Sequence, residues 1–239
     1  MNRNKAIKLL TFILVICLII AGYKYGNQNN FPILLTLGML LLIFLAYANF
    51  EFNEMGTKEI ALIASLSSFA AVARVPFASI PNVQPTTFLV ALSGLIFGPY
   101  EGFLIGASSA FISNIFLGQG PWTPWQMIAW GIVGGISGII GIRGFKPKVE
   151  IFAVICFLYG FLFDWIMNLW HVIGFIRPLN VKTIFAAYLT GLTMDVMHAV
   201  GNFIFAMVFY ESFYKVLFRF KRRMKVEYVS SDKLNEQKN

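Results

Sequence analysis

Apolar positions run in long uninterrupted stretches, separated by short polar or proline- and glycine-bearing breaks. Eight apolar runs can be marked, at roughly 6–22, 32–49, 58–73, 86–98, 101–117, 125–142, 150–172 and 183–213. Most are far longer than a buried strand. A helix of about 20 apolar residues crosses a hydrocarbon core of roughly 30 Å. The pattern therefore predicts an all-α integral membrane protein, with the run at 86–98 conspicuously short. YKYGNQNN separates the first two runs, and EFNEMGTKE sets that pair apart from the other six. The expected organisation is a two-helix membrane extension over 1–52, a six-helix core over 53–220 and a basic, then polar tail over 221–239.

Within the runs, small residues recur at helical spacing. Ala61, Ala64, Ser65 and Ser68 share a face of the third run, and Gly102, Gly106, Ser109, Ala110 and Ser113 mark the fifth. Gly131, Gly134, Gly135 and Gly138 do the same in the sixth. Such spacing lets helix backbones approach closely.

Two breaks are more elaborate than the others. Val75–Thr87 holds Pro76, Pro81 and Pro85; Gly118–Gln126 holds Gly118, Gly120, Pro121 and Pro124. Proline removes a backbone donor and stops a continuous helix, so both are loops. Both carry amides or aromatics: Asn82, Gln84, Trp122, Trp125 and Gln126. They are joined by two apolar runs that turn at Gly98-Pro99, which places them on one side as two lips of one pocket. The cluster Trp122, Trp125 and Trp130 has two readings, an interfacial aromatic belt or a stacking platform for a flat ring. The glycine and proline scaffold favours the platform, since a belt tryptophan needs none. Arg74 also has two readings, a snorkelling headgroup anchor or a donor to ligand oxygens.

Polar residues form stripes on the last two runs. Asp164, Asn168 and His171 fall on one helical face, as do Asp195, His198 and Asn202. Ionisable groups within spans face a bundle interior or water. Substrate contacts, interhelical hydrogen bonds, and a catalytic or proton-relay role for Asp164, His171, Asp195 and His198 remain open. There is no HExxH, GxSxG or Walker lysine.

Composition and charge fix the setting. Apolar residues make up 58% of the chain and charged ones 13%, with mean hydropathy +0.71, whereas soluble domains carry about 25% charge. The net charge of +8 comes from a one-sided distribution rather than a nucleic-acid surface. With eight spans and both termini in the cytoplasm, every Lys and Arg except Lys24, Arg74, Arg177 and Lys182 falls inside. Both special loops then face outward. The few outer cations favour a neutral, flat heteroaromatic ligand over an anion. Cys17 and Cys156 lie inside apolar runs, which argues against a disulfide or zinc framework. The N-terminal run reads as an uncleaved first span, because no small-residue cleavage pattern follows it.

The segments RVPF-x-x-IPNVQPTT, FGP-x-x-GF-x-x-G and S-N-x-x-LGQGPWTPWQM-x-x-WG resemble the substrate-binding (S) components of energy-coupling factor (ECF) vitamin importers. Within that family they are most similar to the branch linked to salvage of cobalamin precursors, with alpha-ribazole as substrate. The resemblance covers roughly 57–215. The FGP-x-x-G hairpin marks the superfamily; IPNVQPTT and GPWTPWQM are more specific. The resemblance implies a six-helix S-component-like bundle, here preceded by two extra transmembrane helices. It implies an outward pocket roofed by loops; from the residues, the expected lids are Ile80–Thr87 and Gly118–Gln126, with Trp122 or Trp125 stacking on the ligand. Arg74, Asn82, Gln84 and Gln126 would supply hydrogen bonds, with Asn114 and Asn168 bordering the site. The partners would be a transmembrane coupling protein, met by Ala61, Ala64, Ser65 and Ser68, and two cytoplasmic ATPases. No cofactor is expected; the ATPases use the ATP. Rival readings are another vitamin (cobalamin, riboflavin, pyridoxine or pantothenate), an intramembrane enzyme, and a packing subunit without a cavity.

Overall fold

The computed structural model describes residues 3–51 and 56–224. The boundary expected between extension and core, and most of the expected tail, lie outside the described residues. Eight α-helices follow in order: α1 Arg3–Tyr25, α2 Phe31–Glu51, α3 Thr57–Arg74, α4 Thr86–Phe97, α5 Pro99–Leu117, α6 Thr123–Gly141, α7 Val149–Phe175 and α8 Val181–Met224. A 3-10 turn, Val75–Phe77, follows α3. Among the described residues five helices (α2, α3, α5, α7 and α8) are long and apolar enough to cross a membrane. The protein is an all-α membrane protein.

The short run at 86–98 is the centre of the fold. α4 has 12 residues, about 18 Å of helix, too little to cross a core of roughly 30 Å alone. Thr86 to Ile96 are all buried, and α4 packs against α3, α5, α6, α7 and α8. A helix apolar on every side has no lipid face to spare and is enclosed by its neighbours. Glycines permit the enclosure. A Cβ on Gly134 of α6 would lie 2.0 Å from the Gly102 carbonyl oxygen of α5, and one on Gly94 of α4 would lie 2.1 Å from the Gly134 oxygen. Three backbones therefore meet where their sequences have no side chains. Gly98, at φ 128°, makes the turn from α4 into α5, and Pro99 opens α5.

α8 continues to Met224, past the apolar limit of 213 read from the sequence. Helical hydrogen bonds do not need apolar side chains, so the helix continues beyond the apolar run. Lys221, Arg222 and Arg223 occupy its last turn, where cations complement the helix dipole. Lys221 Nζ donates to the Ile96 carbonyl oxygen, one of the otherwise unpaired carbonyls at the end of α4.

The α1–α2 hairpin docks on the flank of the core formed by α5, α6 and α7. Its anchors are polar points in apolar surfaces. Tyr47 Oη lies 2.6 Å from Ser108 Oγ, and Tyr100 Oη donates to the Ala46 carbonyl at 2.8 Å. Leu10, Phe12, Ile19 and Ile20 of α1 remain exposed, as expected of a lipid-facing helix.

Candidate functional site

One end of the bundle gathers the end of α3, the segment 75–85, the end of α5 and the start of α6. Arg74, the last residue of α3, ties these pieces together. Its Nε donates to Gln84 Oε1 at 2.6 Å. Its Nη1 donates to Ser113 Oγ and Asn114 Oδ1, both at 2.9 Å. The guanidinium lies over the Trp130 ring, 5.0 Å from the centroid. Asn114 passes the connection onward, donating to Thr123 Oγ1 at 3.1 Å and Gln126 Oε1 at 2.6 Å. Gln126 and Trp130 are four apart on α6, so both address this point.

The first loop is pinned from the other side. Asn82 adopts φ 53°, a left-handed conformation that Asn tolerates better than most residues. Its Nδ2 donates to both Asp164 carboxylate oxygens at 3.1 Å and to the Met194 carbonyl at 3.0 Å. Val83 packs against Gly201 of α8. The loop is thus clasped to α7 and α8 while Gln84 is held by α3.

A buried relay joins the two halves. Trp130 Nε1 donates to Thr87 Oγ1 at 2.9 Å. Thr87 Oγ1 lies 2.9 Å from His198 Nε2, and His198 Nδ1 lies 2.9 Å from Asp164 Oδ2. Nδ1 carries a proton because its partner is a carboxylate; in the neutral ring Nε2 then accepts from Thr87. Asn202 bonds the Phe88 amide at 2.9 Å and the His198 carbonyl at 2.9 Å. Phe163 stacks on Trp130 at 4.3 Å and meets His198 edge-on at 5.1 Å. Thr87, Trp130, His198 and Asn202 are fully buried, and each polar group on this path has a partner. Such saturated networks specify one arrangement of a core. The Thr–His–Asp sequence imitates a nucleophilic triad, but the hydroxyl is enclosed by protein and already bonded on both sides.

Beside Arg74 lies a cavity of about 310 Å³, lined by Arg74, Asn82, Gln84, Phe77, Ile80 and Leu117 among others. The structure therefore brings Arg74, Asn82 and Gln84 to one cavity and sets Asn114 and Gln126 directly behind Arg74. The other candidates go elsewhere. Trp125, 1% exposed, packs with Phe31 and Leu35 of α2, and its Nε1 donates to Thr36 Oγ1 at 3.3 Å. Trp122 meets Trp170 edge-on at 6.2 Å. Asn168 donates to both oxygens of Asp195 at 3.2 and 3.1 Å, beside a separate apolar cavity between α7 and α8. His171 stacks against Phe175 at 5.5 Å. Ala61, Ala64, Ser65 and Ser68 are all exposed on α3. The sequence offers Trp130 only as part of a tryptophan cluster and Thr87 only as the end of a loop, and it gives no sign that Ser113 meets Arg74. Trp130 was findable, because it falls one helical turn beyond Gln126.

A family model described as ECF-type riboflavin transporter, S component, matches residues 55–215. Among curated proteins, a UPF0397 protein of Aliivibrio salmonicida is 29% identical over 103 residues, covering 41% of this chain and 55% of the relative. A UPF0397 protein of Vibrio atlanticus is 29% identical over 91 residues, covering 36% of this chain and 50% of the relative. The chain thus spans about half the length of the curated relatives it matches. No solved structure matches it.

Proposed function

This chain belongs to the ECF-type riboflavin transporter S component family, and from that premise we propose that it is the substrate-binding membrane subunit of an ATP-driven micronutrient importer. The observation that carries this reading is the cavity under the first loop. It combines one guanidinium, two amides and several apolar side chains, the mixture that fixes a small molecule in one orientation. At about 310 Å³ it stands at the lower end of small-molecule sites, roughly 300–1,000 Å³, and suits a precursor or a compact vitamin better than intact cobalamin. Alpha-ribazole follows from the loop motifs, and riboflavin follows from the name of the matching family. Asp164 and His198 are read as structural, because their hydrogen-bonding groups are spent on each other, Thr87 and Asn82.

The orientation proposed is cytoplasmic termini with the cavity outward, from the bias of Lys and Arg. The exposed small residues Ala61, Ala64, Ser65 and Ser68 offer α3 as the face that a coupling protein meets, and ATPases bound to that protein supply the energy. The test is titration of the purified subunit with alpha-ribazole, dimethylbenzimidazole, cobalamin and riboflavin, paired with uptake in cells carrying an ECF module. Saturable binding by one of them, and uptake lost in Ala64→Leu while binding persists, is the expected result. Wild-type protein that binds none of them and supports no uptake would overturn the reading.

A further inference from the structure

The cavity contains a cation with no counter-charge. Arg74 has three side-chain acceptors, Gln84, Ser113 and Asn114, and all are neutral. Among the described residues the one pair of permanently charged groups in contact is Lys146–Glu211; His198–Asp164 is an ion pair only when the imidazole is protonated, and Arg74 belongs to neither. Asp164, the acid closest to this site along the hydrogen-bond chain, is already engaged by His198 and by Asn82. The guanidinium uses Nε and Nη1; Nη2 makes no hydrogen bond among the described residues, and Arg74 lines the cavity. Gln84 supplies a second observation. It is only 7% exposed, its Oε1 is taken by Arg74, and its Nε2 donates to no group among the described residues. Because Oε1 sits 2.6 Å from Arg74 Nε, the amide nitrogen stands beside the guanidinium in the same cavity.

We propose that this cavity recognises a ligand carrying an oxyanion, a carboxylate or a phosphate ester, held by Arg74 Nη2 and Gln84 Nε2. A partly desolvated cation without a partner is costly, and an anionic ligand removes that cost as it binds. Two adjacent N–H donors match two oxygens of one carboxylate or phosphate. Phe77, Ile80 and Leu117 add a small apolar patch to a lining that is mainly polar. From the sequence alone a neutral ligand is favoured because outer cations are few. The structure shows that one of those few is concentrated in the cavity itself. This inference rests on reading the cavity as the substrate site.

The experiment uses matched pairs that differ by one anionic group, titrated into the purified full chain: riboflavin and riboflavin 5′-phosphate, alpha-ribazole and its 5′-phosphate, panthenol and pantothenate. In at least one pair the charged member should bind about 10- to 100-fold tighter than its neutral partner. The pair that shows it tells phosphate from carboxylate. Arg74→Gln should erase that preference, Arg74→Lys should keep part of it, and Gln84→Leu should reduce it with the guanidinium intact. Neutral members binding as tightly as charged ones would overturn the oxyanion inference and leave the substrate-site reading standing. So would a preference unchanged in Arg74→Gln and Gln84→Leu. Binding by no member of any pair would overturn the substrate-site reading, and this inference with it.

Discussion

The two loops that look equivalent in the sequence do different work in the structure. The proline loop after α3 builds a cavity, through Asn82, Gln84 and the Arg74 that precedes it. The tryptophan segment, expected as a loop through Gln126, is already helical from Thr123, and it builds packing: Trp125, in the first turn of α6, is sealed against α2, and Trp122, just before the helix, meets Trp170 of α7. Its contribution to the cavity is indirect, through Gln126 and Trp130 on the helix that follows. The contrast teaches that an aromatic-rich loop in a membrane protein is as readily a seam between helices as a platform for a ligand. The α1–α2 hairpin creates that seam, because it supplies the surface that Trp125 covers.

The comparison can be broken most forcefully at Trp125. Trp125→Ala should destabilise the protein by about 3–5 kcal/mol, read as thermal unfolding in detergent, while the folded fraction binds ligand within about threefold of wild type. A large affinity loss with stability unchanged would return the tryptophan loop to the ligand. Arg74→Gln sharpens the other side. It should lower affinity by about 10- to 100-fold in equilibrium titration, because charge-assisted hydrogen bonds to the ligand are lost.

Asn82→Ala unclasps the cavity loop from α7 and α8. Asp164 loses one donor and the Met194 carbonyl another, so stability should fall by about 1–3 kcal/mol. Ligand dissociation should also quicken, measured by stopped-flow fluorescence. The smallest effect is expected at Trp122. Trp122→Ala should change affinity by less than about threefold, as for a surface contact outside the site, and a larger loss would restore the stacking model.

Much of the fold was legible in the pattern. All eight helices fall where apolar runs predict them, since run length and proline or glycine breaks are local properties. The central place of α4 could be suspected from its shortness and its lack of any polar face. The extension of α8 to Met224 was not legible, because hydropathy falls before the helix ends. At the site, Arg74 ends α3 and Asn82 and Gln84 lie in the loop that follows it, so proximity in sequence became proximity in space. The roles of Trp122 and Trp125 were not legible, since they depend on which helix packs alongside, and α2 is distant in sequence. The relay from Trp130 through Thr87 and His198 to Asp164 joins four helices. Spacing showed the stripe on each of the last two helices but not which residue each would meet.

We propose that a small molecule is held at Arg74 and not at Trp122 or Trp125. The most direct test is mass spectrometry of the small molecules released on denaturing protein purified from cells supplied with the vitamin panel. Wild type and Trp122→Ala should release the same compound in comparable amounts, and Arg74→Gln should release little or none. Equal release from Arg74→Gln, or loss confined to Trp122→Ala, would contradict the account.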